Sequence, residues 1–216
     1  MSDAPTPMYV TTDAVAVSLT AKEGLRLLLI RRAEEPFKGQ WALPGGFVEE
    51  EEDLADACAR ELEEETGVRA TTLLQLGAWG KPGRDPRGRN VSIVYVAAVR
   101  PEATKPRPGS DAALAQWYPA GSLPALAFDH REIAAAALKR VQSLVTGTHF
   151  VFALLPDRFR LEELRDALKA VRAELVTDQE ALAFAKRARV VRLTAATPRE
   201  GESYRCVAAD FLAPLR

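Results

Sequence analysis

Apolar and polar positions along the first two thirds of the chain fall into short blocks with two different periods. Val10 to Leu19 alternates loosely and is rich in β-branched residues, and Leu25 to Ile30 is a short apolar run after the turn-like Lys22-Glu23-Gly24. Both predict strands. Glu34 to Gly39 is a polar loop, and Pro44, Gly45 and Gly46 turn the chain again. Asp53 to Thr66 holds good helix formers without internal Gly or Pro, and Gly67 stands where a helix-ending glycine is expected. Leu73–Trp79 and the β-branched Val91–Val99 predict two further strands, with the loop GKPGRDPRGRN between them. After the loop Pro101–Gly109, Gln116-Trp-Tyr-Pro predicts a short strand end, and Asp129–Val145 predicts a helix. The order β, β, helix, β, β, helix defines an α/β domain.

From residue 150 the pattern changes. Val151–Leu155 predicts a strand. Leu161, Leu164, Leu168, Val171 and Leu175 recur at helical spacing and predict a helix over Leu161–Leu175. Thr177-Asp-Gln-Glu180 has the form of a capping box and predicts a second helix running to about Arg189. Val190–Leu193 and Tyr204–Val207 predict two strands joined by a polar loop. Helices followed by a β-hairpin outline a small winged-helix-like module. The expected division is residues 1–148 and 149–216, with the boundary near Gly147.

Charge alters this picture in one place. The chain of 216 residues has a formal net charge of −1, which carries no global signal for nucleic acid. The two cysteines, Cys58 and Cys206, lack metal-ligand spacing. With no signal-peptide pattern and no apolar run of about 20 residues, the expected setting is the cytoplasm. Yet Gly45 to Val68 gathers ten of the chain's 30 carboxylates around a single basic residue, Arg60. On a helix Glu61, Glu64 and Glu65, spaced i, i+3, i+4, share one face. That face adjoins the apolar stripe of Leu54, Ala55, Cys58, Ala59 and Leu62. Like charges at this spacing repel, and the C-terminal end of a helix disfavours anions. A solvated helix face tolerates the arrangement, whereas a divalent cation would turn repulsion into attraction, carboxylates being hard ligands suited to Mg²⁺ or Mn²⁺.

The full spacing decides between these. Gly46, five residues, Glu52, seven residues, then Arg60-Glu61-Leu62-Glu63-Glu64-Glu65-Thr66-Gly67-Val68 satisfies nine specified positions over 23 residues. This is similar to the Nudix box, and Trp41-Ala-Leu-Pro-Gly-Gly resembles its lead-in. The resemblance covers roughly residues 8–146. It implies an α/β/α sandwich in which a loop–helix–loop packs on a mixed sheet. It also implies hydrolysis of a nucleoside diphosphate derivative with Mg²⁺ or Mn²⁺ as cofactor. Carried onto this chain, Glu61, Glu64, Glu65 and the Gly45 carbonyl hold metal. Arg60 orients the glutamates, Glu52 braces the loop or binds a water beyond the metal's own ligands, and a carboxylate positions or deprotonates the attacking water.

PGRDPRG resembles a loop of ADP-ribose pyrophosphatases and of Nudix-related transcriptional regulators of NAD metabolism. Glu35-Pro36-Phe37-Lys38-Gly39 and Leu126-Ala-Phe-Asp129-His130 resemble the regulators. Two activities follow from the resemblance: hydrolysis of ADP-ribose to AMP and ribose 5-phosphate, or ADP-ribose-responsive regulation with DNA bound by the C-terminal winged helix through residues 177–205. Relatives are commonly homodimers. The intact box favours hydrolysis. Helix 178–189 departs from the regulators' strongly basic recognition helix, with Lys186, Arg187 and Arg189 only at its end. Leu114 stands where many relatives place a glutamate, so Asp111 is the nearest substitute for a loop general base, alongside Glu61 and Glu64 of the box. For the substrate, guanidinium forks suit phosphate, which nominates Arg32, Arg84 and Arg87. Phe37 and Trp41 are candidates to stack on adenine, although such residues more often belong to a core. His130 is expected to make a cap or polar contact.

Overall fold

The computed structural model describes residues 7–20, 22–103, 105–107, 109, 112–188, 191–193 and 203–206. The elements in chain order are β1 (Tyr9–Thr20), β2 (Gly24–Arg32), β3 (Trp41–Ala42), β4 (Gly45–Phe47), α1 (Leu54–Thr66), β5 (Thr72–Trp79), β6 (Asn90–Ala98), β7 (Ala112–Pro119), α2 (His130–Gly147), α3 (Phe150–Ala153), α4 (Leu161–Arg172), α5 (Asp178–Arg187), β8 (Val191–Leu193) and β9 (Ser203–Arg205).

Seven strands form one mixed sheet with the path β3-β2-β1-β6-β5; β4 joins β1, and β7 joins β2. The central pair β1 and β6 is parallel, and the other pairings are antiparallel. Successive side chains on a strand point to opposite faces, and here both faces are covered. Ala14, Ala16, Leu28, Tyr95, Ala97 and Val99 pack with Cys58 and Leu62 of α1. Val15, Val17, Leu27, Leu29, Val94 and Val96 pack with Ile133, Ala137 and Val141 of α2. This is an α/β/α sandwich. Burial on both faces explains why β1 lacks clean alternation: its central positions are all inside.

The second core layer continues without a break from α2 into Phe150, Phe152, Leu164, Leu168 and Phe184 of the C-terminal helices. Two expectations fail in this part. Val151–Leu155 does not form a strand; Phe150–Ala153 is a short helix. Its residues are buried, and a short apolar run looks alike as a buried strand or a buried helical turn. The Thr148 hydroxyl accepts from the Phe150 N–H at 3.1 Å and starts the new turn. Helix α4 stops at Arg172 because Ala173 turns left-handed with φ 56°, leaving Leu175 87% exposed. The box at Thr177 caps α5 from both sides: Thr177 Oγ1 accepts from Glu180 N, and Glu180 Oε2 accepts from Thr177 N. The β8–β9 pair is antiparallel. Positions 189, 190 and 207 of the expected elements lie outside the described residues.

Candidate active site

Helix α1 is set at both ends by its own sequence. Asp53 Oδ1 accepts from Ala55 N at 3.2 Å, and Gly67, at φ 68°, closes the last turn by donating to the Glu63 carbonyl at 2.7 Å. Between these caps the helix presents its acids towards β4. Glu65 is buried, and its Oε2 accepts from the Gly45 N–H at 2.8 Å. The approach requires glycine: a methyl group on Gly46 would collide with the Glu61 carboxylate, and one on Gly45 with the Thr12 carbonyl.

Arg60 holds the loop and the helix together. It donates to Glu52 through Nε (3.0 Å) and Nη2 (2.6 Å), to Glu61 Oε1 (2.9 Å), to Glu64 Oε2 (3.2 Å) and to the Phe47 carbonyl (3.1 Å). Glu52 also accepts the Glu49 N–H at 2.8 Å. The Arg60 hydrogen bond pulls the Glu52 carboxyl down to about 2, and the Glu52 contact pushes the Arg60 pKa up in turn. Cys58, beneath the acids, is pushed up to about 12 by burial and behaves as a core residue.

Glu61, Glu65 and Gly45 line a cavity of about 410 Å³ that Arg32, Arg84 and Arg87 also line. Among the described residues no three carboxylate, imidazole or thiol groups are grouped to hold a metal ion. Glu64 is tied to Arg60 in this arrangement. The Glu61 and Glu65 carboxylates and the Gly45 backbone that line the cavity offer hard oxygens, the donor type that fits Mg²⁺ or Mn²⁺.

The three arginines differ in use. Arg84 is buried and bidentate to Asp129, at 2.9 and 2.7 Å, with Asp13 a further 3.6 Å from Nη2. It ties the 80–90 loop to the start of α2. Arg87 forks onto Asp85 and lies over the rings of Phe47 and Phe128. Burial acts to raise the Asp85 pKa, but the Arg87 hydrogen bonds outweigh it and hold the carboxyl low. Arg32 donates to the Pro36 carbonyl at 2.7 Å, and burial, followed by the charge of Arg87, lowers its pKa.

Two expected contributors stand elsewhere. Trp41 packs edge-on against Tyr118 at 5.0 Å in the core layer, and Phe37 packs edge-on against Phe128 at 4.7 Å; neither lines the cavity. Asp111 lies outside the described residues. Leu114 is exposed on β7 opposite Arg31. The cavity also contains Asp13, Phe47, Asp85, Asn90, Phe128 and His130, which the sequence reading did not assign to it. His130 is buried: its Nδ1 accepts from Leu43 N at 2.9 Å, and Nε2 faces Asp13 Oδ1 at 3.6 Å. Asp13 and Phe47 are strand residues that nothing in a linear pattern marks. Asp85 and Asn90 flank the arginines of the 80–90 loop, the one signal that could have found them.

The description "NUDIX domain" matches residues 10–140, so the chain belongs to the Nudix family. It is 44% identical over 120 residues to an ADP-ribose pyrophosphatase of Methanocaldococcus jannaschii, covering 56% of this chain and 70% of that one. It is 34% identical over 174 residues to an ADPR responsive transcriptional repressor, NtrR, of Acinetobacter baylyi, covering 79% and 68%. Among solved structures, NrtR of Shewanella oneidensis matches with a TM-score of 0.81 at 26% identity, over 96% of this chain and 97% of that one. The same protein complexed with a 27mer DNA matches with a TM-score of 0.77 at 26% identity, over 96% and 99%.

Proposed function

We propose that this chain is a metal-dependent Nudix pyrophosphohydrolase that cleaves ADP-ribose to AMP and ribose 5-phosphate. One observation carries the reading: the box carboxylates Glu61 and Glu65 and the Gly45 backbone share a single cavity with Arg32 and Arg87. The carboxylates suit a divalent cation, and the guanidinium groups suit phosphate oxygens. The M. jannaschii pyrophosphatase, at 44% identity, supports the choice of substrate.

Glu61, Glu64, Glu65 and the Gly45 carbonyl would hold Mg²⁺ or Mn²⁺. When bound, the ion lowers the pKa of a coordinated water and neutralises charge on the phosphate oxygens. Arg60, braced by Glu52, fixes the orientation of Glu61 and restrains Glu64. Arg32 and Arg87 bind the phosphates. Glu61 or Glu64 takes the proton of the attacking water, with Asp111 as the alternative base. The decisive assay is AMP release from ADP-ribose with Mg²⁺ or Mn²⁺, using Glu64→Gln and Glu65→Gln as controls. A wild-type protein that releases no AMP from ADP-ribose or any dinucleotide removes this reading.

A second reading is favoured by the span of the NrtR match, which covers 96% of the chain. In it residues 1–148 form the Nudix domain and residues 149–216 a winged-helix-like domain. The chain acts as a cytoplasmic homodimer that responds to ADP-ribose and contacts DNA through residues 177–205. Such binding weakens steeply with salt, because phosphate contacts release counterions. A gel shift at low salt with the chain's own upstream region tests it, and the absence of any shift there removes it.

A further inference from the structure

Phe128, in the loop before α2, has φ 53°, and Phe37, in the loop after β2, has φ 64°. Bulky residues rarely adopt the left-handed region, and they persist there only where their surroundings over-determine them, often at ligand sites. The two strained residues meet each other, their rings edge to face at 4.7 Å. Burying a ring does not require such backbones. The position of the Phe128 ring suggests what they serve.

Two guanidinium groups from separate elements lie over that ring, Arg32 at 5.0 Å and Arg87 at 5.8 Å from its centroid. Both separations fall within the roughly 6 Å over which a ring face attracts a cation. Arg32 is fixed through Nε to the Pro36 carbonyl, and Arg87 through Nε and Nη2 to Asp85. Among the described residues no group accepts from Nη1 of either arginine. Both line the cavity that also holds Glu61 and Glu65. Two guanidinium groups gathered on one ring, each with Nη1 to spare, form an arrangement that can grip an anion. Arg84 engages Asp129 through the same two nitrogens, but its side chain is only 4% exposed, against 40% for Arg87, so it is the less accessible to a ligand.

We propose that Phe128 is a positioning residue that holds Arg32 and Arg87 as a two-jawed clamp for the paired phosphates of a diphosphate. The proposal rests on reading the cavity as a nucleoside diphosphate site. The strained backbones at 37 and 128 aim the ring, the ring spaces the two guanidinium groups, and those groups contact the anion. Removing the ring leaves both arginines tethered to Pro36 and Asp85 but takes away the one surface they share, and with it their spacing.

Calorimetric titration of inorganic pyrophosphate and of inorganic phosphate, with divalent ions chelated, tests this independently of hydrolysis. The wild type should bind pyrophosphate in preference to phosphate. Phe128→Ala should weaken pyrophosphate binding by about tenfold or more, whereas Phe128→Tyr should retain it. In an Arg32→Ala/Arg87→Ala background the Phe128→Ala change should have no further effect, because the ring acts only through those arginines. Phe128→Leu replaces the alanine variant if thermal melting shows that the latter does not fold. The clamp is overturned if the ring's removal leaves pyrophosphate affinity unchanged, if its effect persists without the arginines, or if the wild type binds the two anions equally. Pyrophosphate binding without ADP-ribose hydrolysis would sink the enzymatic reading and leave the clamp standing. Hydrolysis with unchanged binding in the Phe128 variants would do the reverse.

Discussion

Arg60 and Glu52 face each other as two planar forks, Nε to Oε2 at 3.0 Å and Nη2 to Oε1 at 2.6 Å. The contact joins the loop after β4 to the middle of α1, and through Arg60 it reaches Glu61 and Glu64. Glu52→Gln should therefore loosen the acids proposed to hold the metal without touching them. We expect a fall in activity of about 10- to 100-fold, the range for removing a residue that orients metal ligands. Raising the metal concentration should partly restore it, and steady-state kinetics against Mg²⁺ or Mn²⁺ measures both effects.

The same pair carries a pH signature. The Arg60 hydrogen bond lowers the Glu52 carboxyl from the ordinary 4.5 to about 2. A carboxyl lowered on folding stabilises the folded state fully above its unfolded pKa and loses that contribution as pH falls through the folded value. The stability difference between wild type and Glu52→Gln should be constant above about pH 5 and shrink between about pH 4.5 and 2. Urea titrations across that range would show it; a constant difference down to pH 2 would contradict the assignment.

Asp129 and Arg84 make a buried bidentate pair, the Arg84 side chain being only 4% exposed. Removing Asp129 leaves the buried guanidinium only the more distant Asp13, at a cost of up to about 3–5 kcal/mol. Asp129→Ala should lower the urea midpoint accordingly. Arg84→Lys should not rescue the pair, because an ammonium cannot match the forked geometry. If Arg84→Lys were as stable as wild type, the bidentate contact would not be holding the loop.

His130 is buried, and burial lowers its pKa below 6.5, although Asp13 acts in the opposite sense. A histidine held neutral on folding contributes stability above its unfolded pKa that is lost as pH falls below it. The wild type should lose stability on acidification below about pH 6.5. His130→Gln, which has no titrating ring but offers an acceptor for Leu43 N, should flatten that limb of the stability profile. Thermal melts between pH 5 and 8 provide the comparison.

Gly45 has φ 155°, and a Cβ there would collide with the Thr12 carbonyl. Gly45→Ala should destabilise the fold by about 1–3 kcal/mol through strain and overpacking. It should also weaken metal binding, because the displaced segment carries the amide that holds Glu65. A variant with unchanged melting temperature and metal affinity would show that β4 can shift freely.

Local patterns sufficed for much of this protein. The spacing of Glu61, Glu64 and Glu65, the caps at Asp53, Gly67 and Thr177, and the strands that became β1, β2, β5 and β6 are dictated within a few residues by periodicity, capping and turn chemistry. The Nudix box is legible for the same reason, since its chemistry is carried on one helix and the loop before it. Tertiary structure decided what else lines the cavity. Asp13, Phe47 and the pair Phe128 and His130 meet there from three separate segments, through pairings and packing that no window of sequence contains. It likewise assigned the arginines, burying Arg84 in its pair with Asp129 and leaving Arg87 more open to the cavity. It made a helix of Phe150–Ala153, since a fully buried apolar run acquires its conformation from what surrounds it. Sequence sets what each segment can form locally, whereas contacts between distant segments exist only once the sheet has brought them together.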